Sequence, residues 1–287
     1  MEFKKSERKK ARLRLALTGA SGSGKTWSAL EIATGIGGSI AVIDTEHESA
    51  SLYSDRFEFS SLSMQPPYSP ERFIQAIEAA EKAGFTTVII DSYSHEWDGS
   101  GGCLEINDTA AQQKFRGNTW AACNETTPRH RKLTDKILAS PLHIICTMRS
   151  KTETVQGADK KVIKLGMKPI QRDGAEYEFT TVLDIHHESH VAIASKDRTG
   201  LFTEPLLLSV STGVMLKNWL ESGVDPRKMA IGLLEPLLDA MRETRDLTGL
   251  QDAYHAAKTA ANGYPDLLDQ VVLIKDQRKA DLAKEQV

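Results

Sequence analysis

The stretch Gly19-Ala20-Ser21-Gly22-Ser23-Gly24-Lys25-Thr26 constrains the fold of this chain more than any other. It fits G-x-x-x-x-G-K-[ST], a pattern that works only between a strand and a helix. Both neighbours are predicted. Arg12-Leu13-Arg14-Leu15-Ala16-Leu17 is a short apolar-rich strand, and Trp27 to Ala33 reads as a helix start. The glycines let the backbone turn tightly, so that successive N–H groups face one anion. The helix that follows aims its positive end at the same anion. Lys25 is placed to reach the β- and γ-phosphates, and the Thr26 hydroxyl to bind Mg2+. The expected ligand is a nucleoside triphosphate, ATP with Mg2+.

With 287 residues the chain can hold one sizeable α/β domain and a small appendage. Its formal net charge of −3 supplies no global positive field, so contact with nucleic acid must come from local patches. The three cysteines, Cys103, Cys123 and Cys146, are far apart and form no C-x-x-C. That spacing speaks against a zinc site or a disulfide framework and fits a reducing cytoplasm. No apolar run approaches the ~18 residues of a membrane span, so no membrane partner is expected. Residues 1–14 carry seven Lys/Arg against Glu2 and Glu7, a basic arm that is either solvated or laid on a nucleic-acid backbone.

Beyond the loop, Gly35, Gly37 and Gly38 are expected to stop the helix. Ser39 to Asp44 then forms a buried strand, followed by Thr45-Glu46-His47. Ser69-Pro70-Glu71 starts a helix, with Phe73, Ile74, Ile77 and Ala80 as its core stripe. Thr86 to Asp91 is a near-continuous apolar run, as in a parallel strand covered on both faces. Asp91 at its end is the candidate to hold Mg2+ beside the phosphate loop. Hydrolysis also needs a carboxylate to position or activate water. Ser92 follows Asp91 directly, which leaves Glu46 and Glu96, both near strand ends at the ligand edge of a parallel sheet. Spacing alone does not choose between them.

Residues 98–125 are polar and Gly-rich, with a helix around 104–115; Phe115 and Trp120 either stack on bases or, as expected here, pack under a long loop. Thr127-Pro128 should cap a helix to Ser140, and Leu142 to Met148 is a fourth core strand containing His143. Thr152 to Leu165 alternates around Gly157-Ala158-Asp159 and reads as a β-hairpin. From Arg149 to Arg172 there are seven Lys/Arg, including Lys151, Lys160, Lys161, Lys164 and Lys168, against Glu153 and Asp159. Lacking aromatics, this patch would meet phosphates rather than bases. Phe179 to His186 and Val191 to Ser195 form an antiparallel pair, with His186, His187 and His190 as surface residues of its turn. From about Ser222 Leu, Ala and Ile recur at helical spacing, with starts at Asp225-Pro226, Thr248 and Pro265.

Ile43-Asp44-Thr45-Glu46-His47 with Tyr53, and Val88-Ile89-Ile90-Asp91-Ser92, resemble the RecA recombinase core. More closely, Gly19 to Phe202 resembles the RecA-like ATPases encoded by bacteriophages. The marks are Pro66-Pro67-Tyr68-Ser69-Pro70-Glu71-Arg72, Ser94-His95-Glu96-Trp97-Asp98-Gly99, Thr147-Met148-Arg149-Ser150-Lys151 and Ser195-Lys196-Asp197-Arg198-Thr199-Gly200. The resemblance implies an α/β RecA-like P-loop NTPase core with a mainly parallel central sheet at 12–222. A basic arm at 1–11 and a small C-terminal helical module at 223–287 would flank it. It implies Glu46 as the catalytic carboxylate with Lys25, and Glu96 as second choice. Arg149 stands where the family commonly places a Gln sensor between nucleotide and DNA. Residues 98–125 and the basic hairpin occupy the places of two DNA-facing loops, making Lys151, Lys160, Lys161, Lys164 and Lys168 DNA-binding candidates. Lys196 and Arg198 would reach the γ-phosphate of a neighbouring subunit. The implied function is a DNA-stimulated ATPase on single-stranded DNA in phage-type recombination or annealing. It would work as a filament or ring in the cytoplasm of a bacterial host, alongside single-strand binding or other recombination proteins. The competing reading is a nucleotide-switched binding or loading factor with little turnover.

Overall fold

Alternation along the first strand sets the layers. The structure, a computed structural model, describes residues 7–156 and 162–285. In β1 (Arg14–Gly19) every residue is buried. Leu15 and Leu17 point to one apolar layer, built on α1 (Lys25–Ile36) and α6 (Val210–Glu221). Ala16 points to the other, built on α2 (Pro70–Lys82) and α5 (Thr119–Ala139). The same division splits Ile89 from Val88 and Ile90 in β4 (Thr87–Asp91). Strands covered on both faces need apolar residues at successive positions, which is why these runs look continuous in the sequence.

The remaining strands are β2 (Ile40–Asp44), β3 (Ser60–Ser63), β5 (His143–Gln156), β6 (Val162–Pro169), β7 (Thr181–Ile185), β8 (Val191–Asp197) and β9 (Leu206–Leu207). Their order in the sheet is β3-β2-β4-β5-β1-β7-β8-β9, with β6 paired to β5. Neighbouring strands from β3 to β7 run parallel, whereas β6, β8 and β9 are antiparallel additions. The described chain divides into two compact units, Arg12–Leu220 and a second made of Met1–Ala11 with Glu221–Val287. In the second, α7 (Pro226–Glu243), α8 (Leu247–Ala260) and α9 (Pro265–Glu285) share an apolar cluster that includes Leu234, Leu238, Met241, Leu250 and Val271. No described helix is long and apolar enough to cross a membrane.

Of the basic run at the start of the chain, Lys4 and Lys5 lie outside the described residues, Arg8, Lys9, Lys10 and Arg12 are exposed, and Arg14 is buried. Lys10 N–H donates to the Val224 carbonyl and its ammonium pairs with Asp225 (3.3 Å). Arg14 is buried in β1, where its guanidinium donates to the carbonyls of Leu142 (2.7 Å), Leu138 (3.0 Å) and Ser140. These include orphan carbonyls at the end of α5, a place that favours a cation. Burial lowers the Arg14 guanidinium to about 10.

Gly35 does not stop α1; the helix runs through it to Ile36, and Gly37 at φ 80° follows. Gly35 instead lets α6 touch. A Cβ there would stand 2.0 Å from the Val210 carbonyl oxygen, and one on Gly213 would stand 2.2 Å from the Ile32 carbonyl oxygen. Gly213→Ala must push the two helices apart, and overpacking of this kind costs about 1–3 kcal/mol. A denaturant midpoint lowered accordingly, at unchanged m-value, is the expected result.

The helix expected around 104–115 is α4 (Cys103–Lys114); α3 (Ser94–Asp98) precedes it, and the first turns of α5 take up the end of the 98–125 stretch. Helix α5 begins well before Thr127-Pro128, because Asn118 accepts a cap bond from Ala121 N–H (3.0 Å). Its buried stripe Ala122, Thr126, His130, Leu133 and Ile137 passes straight through Pro128. Phe115 packs on Ala110, Ala111 and Ala122 as expected, but Trp120 is 88 % exposed.

His143 is held neutral where β5 begins. Leu13 N–H donates to its Nδ1 (3.1 Å), and Arg12 Nη1 lies 3.2 Å from Nε2. Burial, then Arg12 and Arg14, push it down to about 4. An unfolded histidine protonates near pH 6.5, so between the two values the unfolded chain binds more protons than the folded one. Stability is therefore expected to fall as pH drops from about 6.5 to 4, by up to ~3 kcal/mol. Denaturant midpoints at pH 7 and pH 5 should converge in His143→Asn relative to the parent chain.

Candidate functional site

The parallel register brings the ends of β1, β2 and β4 to one edge, beside the middle of β5. Gly19 pairs with Arg149, and Asp44 with Asp91. The loop 20–24 leaves β1 at this edge, with Gly22 at φ 79° and Gly24 at φ 92°, and α1 starts at Lys25. Nothing bulkier than glycine fits the turn at Gly19, where a Cβ would lie 2.5 Å from Ser23 Oγ. That Ser23 hydroxyl is buried and has no hydrogen-bond partner, a polar atom turned into the loop that phosphate oxygens would satisfy. Lys25 Nζ donates to the carbonyls of Gly19 (3.0 Å) and Ala20 (2.8 Å). Burial lowers its pKa, opposed by the nearby charges of Asp91 and Glu46.

Thr26 Oγ1 donates to Asp91 Oδ2 (2.5 Å), and Thr147 from β5 donates to Asp91 Oδ1. Burial raises the Asp91 pKa, and the two hydroxyls oppose it. A threonine hydroxyl beside an aspartate is a hard-oxygen donor set, as Mg2+ requires. Asp44 shapes the neighbouring turn: its carboxylate accepts from Glu46 N–H (2.7 Å) and Ala50 N–H (3.0 Å). The turn delivers Glu46 to Arg149, whose Nε (2.8 Å) and Nη2 grip the carboxylate in a two-pronged ion pair. That hydrogen bond raises the Arg149 pKa, and Arg149 N–H donates to Ser94 Oγ (2.9 Å). Two of the resemblance-bearing stretches meet beside it, Tyr68 stacking on His95 at 5.1 Å and His95 bonding Thr45 Oγ1 (2.7 Å).

Lys25, Thr26, Asp91, Glu46 and Arg149 are thus one cluster. Glu96 is not in it. Its side chain is fully buried behind β4 among Cys103, His130 and Gln171, so a second-choice catalytic role does not match its position. Lys196 and Arg198 lie at the opposite edge of the sheet, since Asp197 pairs with Thr181 and Thr181 with Leu15. Lys196 donates to the carbonyls of Glu176 (3.1 Å) and Tyr177. Of the DNA-binding candidates, Lys151 is exposed, while Lys168 is committed to Asp173 (2.8 Å) and Glu153 (3.4 Å). Both line a cavity of about 670 Å3 with Trp97, Asp98 and Gln171. Lys160 and Lys161 lie outside the described residues, as does the side chain of Lys164.

Local patterns missed two features. Thr147 anchors Asp91, a role that neither its place near the end of an expected strand nor the resemblance-bearing stretch it opens had assigned to it. The histidine turn after β7 lies against the phosphate loop: His190 Nδ1 is 3.0 Å from the Ser23 carbonyl oxygen, and His187 Cε1 closes on Gly22. Only the adjacency of β1 and β7 could have revealed this.

A phosphate loop between β1 and α1, with a threonine and a strand-end aspartate in contact across a mostly parallel sheet, defines a P-loop NTPase. The model of the AAA domain family matches residues 11–206, and the chain belongs to that family, an AAA-type nucleotide-binding ATPase domain. No curated protein matches the sequence.

Proposed function

We propose that this chain hydrolyses ATP on single-stranded DNA and acts in phage-type recombination or annealing. One observation carries the reading: Arg149, which holds Glu46, stands on the same strand that continues into the basic hairpin of β5 and β6. Whatever grips the hairpin pulls on the strand that holds the carboxylate. In this reading the loop N–H groups and Lys25 bind the β- and γ-phosphates, while Thr26 and Asp91 hold Mg2+. Bound there, Mg2+ would neutralise charge developing on the phosphate oxygens. Glu46, once freed from Arg149, accepts the proton of the attacking water. Lys196 and Arg198, remote from their own phosphate loop, act on the next subunit of a filament or ring.

ATPase rates with and without single-stranded DNA test this. Stimulation by DNA is expected, as is partial recovery of activity on mixing Glu46→Gln protein with Arg198→Ala protein. An equal rate with and without DNA, with no complementation, rejects the recombinase reading. The Glu46–Arg149 pair also favours a second reading, a nucleotide-switched DNA-binding or loading factor whose carboxylate stays held. ATP-dependent DNA binding without turnover would identify it.

A further inference from the structure

We propose that Glu96, Cys103 and His130 form a binding site for a thiophilic divalent cation of the zinc class. The three come from α3, α4 and α5, and all are buried. Cys103 Sγ lies 3.0 Å from Glu96 Oε1, His130 Nδ1 lies 3.0 Å from the same oxygen, and one ligand atom from each falls within 4.8 Å of the others. Around a tetrahedral Zn2+, with bonds of about 2.0–2.3 Å, ligand atoms stand roughly 3.3–3.8 Å apart. Seating the ion asks the short contacts to open by less than about 1 Å.

Charge supplies the reason to look for a cation. The Glu96 carboxylate is fully buried, and among the described residues its partners are a thiol, an imidazole and the Gln171 carboxamide (3.3 Å). None is a fixed cation, and a buried carboxylate needs a paired charge or a metal. One divalent ion balances the carboxylate and a Cys103 thiolate, leaving neutral imidazole as third ligand. Sulfur, nitrogen and oxygen together suit zinc and disfavour Mg2+. Gln171 would serve as the outer partner that orients the carboxylate. Three protein ligands leave a fourth position open. A cavity of about 270 Å3, lined by His130, Arg131, Arg172 and Asp173, gives an approach on the His130 side. Cysteine spacing alone excluded a zinc site because two of the ligands are not cysteines and lie on other helices.

The test uses the full-length protein without nucleotide. After incubation with Zn2+ and desalting, elemental analysis should find about one metal per chain. Co2+ in its place should give a thiolate-to-cobalt charge-transfer band that persists in Cys123→Ser and vanishes in Cys103→Ser. Zn2+ at about a hundredfold over Kd should raise Tm by roughly 5 °C or more, reversed by a chelator. If Cys103→Ser fails to fold, His130→Asn serves, expected to weaken Co2+ binding and change the band. A parent chain that takes up no metal and shows no band overturns the proposal, leaving a closed hydrogen-bonded triad. So does metal lost only when His187 and His190 are replaced, which would place the ion at the exposed histidine turn.

Discussion

Lys25→Ala is expected to weaken Mg2+-ATP binding by at least about two orders of magnitude, the cost of removing a partly buried charge from its phosphate partners. Calorimetric titration reads this directly. The Lys25 ammonium donates to the carbonyls of Gly19 and Ala20, where β1 passes into the phosphate loop, and forms no ion pair among the described residues. The variant should therefore keep nearly all of its Tm while losing ligand affinity. Asp91→Asn should behave differently. It leaves the loop N–H groups and Lys25 intact but takes a charge from the Thr26 and Thr147 hydroxyls. Nucleotide should still bind, with its dependence on Mg2+ much reduced. Unchanged affinity in Lys25→Ala would sink the assignment of the loop, whatever the family.

The phosphate loop and the strand ends were legible because their chemistry is local. Tight turns, an N-terminal helix charge and two-sided burial each leave their mark within a few residues. Glu46 and Arg149 are far apart in sequence; strand-end position left Glu46 level with Glu96, and the resemblance chose between them and gave Arg149 its sensor role. Their pairing depends on β2 and β5 flanking β4, which no local pattern encodes. The same holds for the histidine turn, brought to the phosphate loop because β7 sits beside β1. Gly35 looked like a helix stop, since close helix packing and helix termination call for the same residue. Pro128 looked like a helix start. Asn118 and a stripe of buried residues that continues on either side of the proline outweighed it. Arg14 falls in the basic run of residues 1–14 by composition, yet a guanidinium with several carbonyl partners can be buried at a helix end.

Glu46→Gln is expected to retain ATP binding and to slow turnover by at least ~10²-fold, the usual worth of a positioned base. The amide cannot take the proton of water, and it cannot form the two-pronged ion pair with Arg149. Glu96→Gln should leave the chemical step intact and act on stability instead, because its carboxylate contacts Cys103 and His130 and stands apart from the phosphate loop. Single-turnover hydrolysis with Tm measured in parallel separates the two. A fully folded Glu96→Gln protein that hydrolyses slowly, beside an active Glu46→Gln protein, would reverse the assignment. Arg149→Ala completes the set. With the guanidinium gone, Glu46 keeps its backbone bonds to the Asp44 carboxylate and Ser49 N–H, and the freedom of its side chain no longer depends on the hairpin strand. The basal rate should then hold or rise, and the stimulation by single-stranded DNA that the proposed function expects of the parent chain should be absent from the variant. Arg149→Ala protein that DNA still accelerates would mean that hairpin and carboxylate communicate by another route, since the ion pair is the direct link between them.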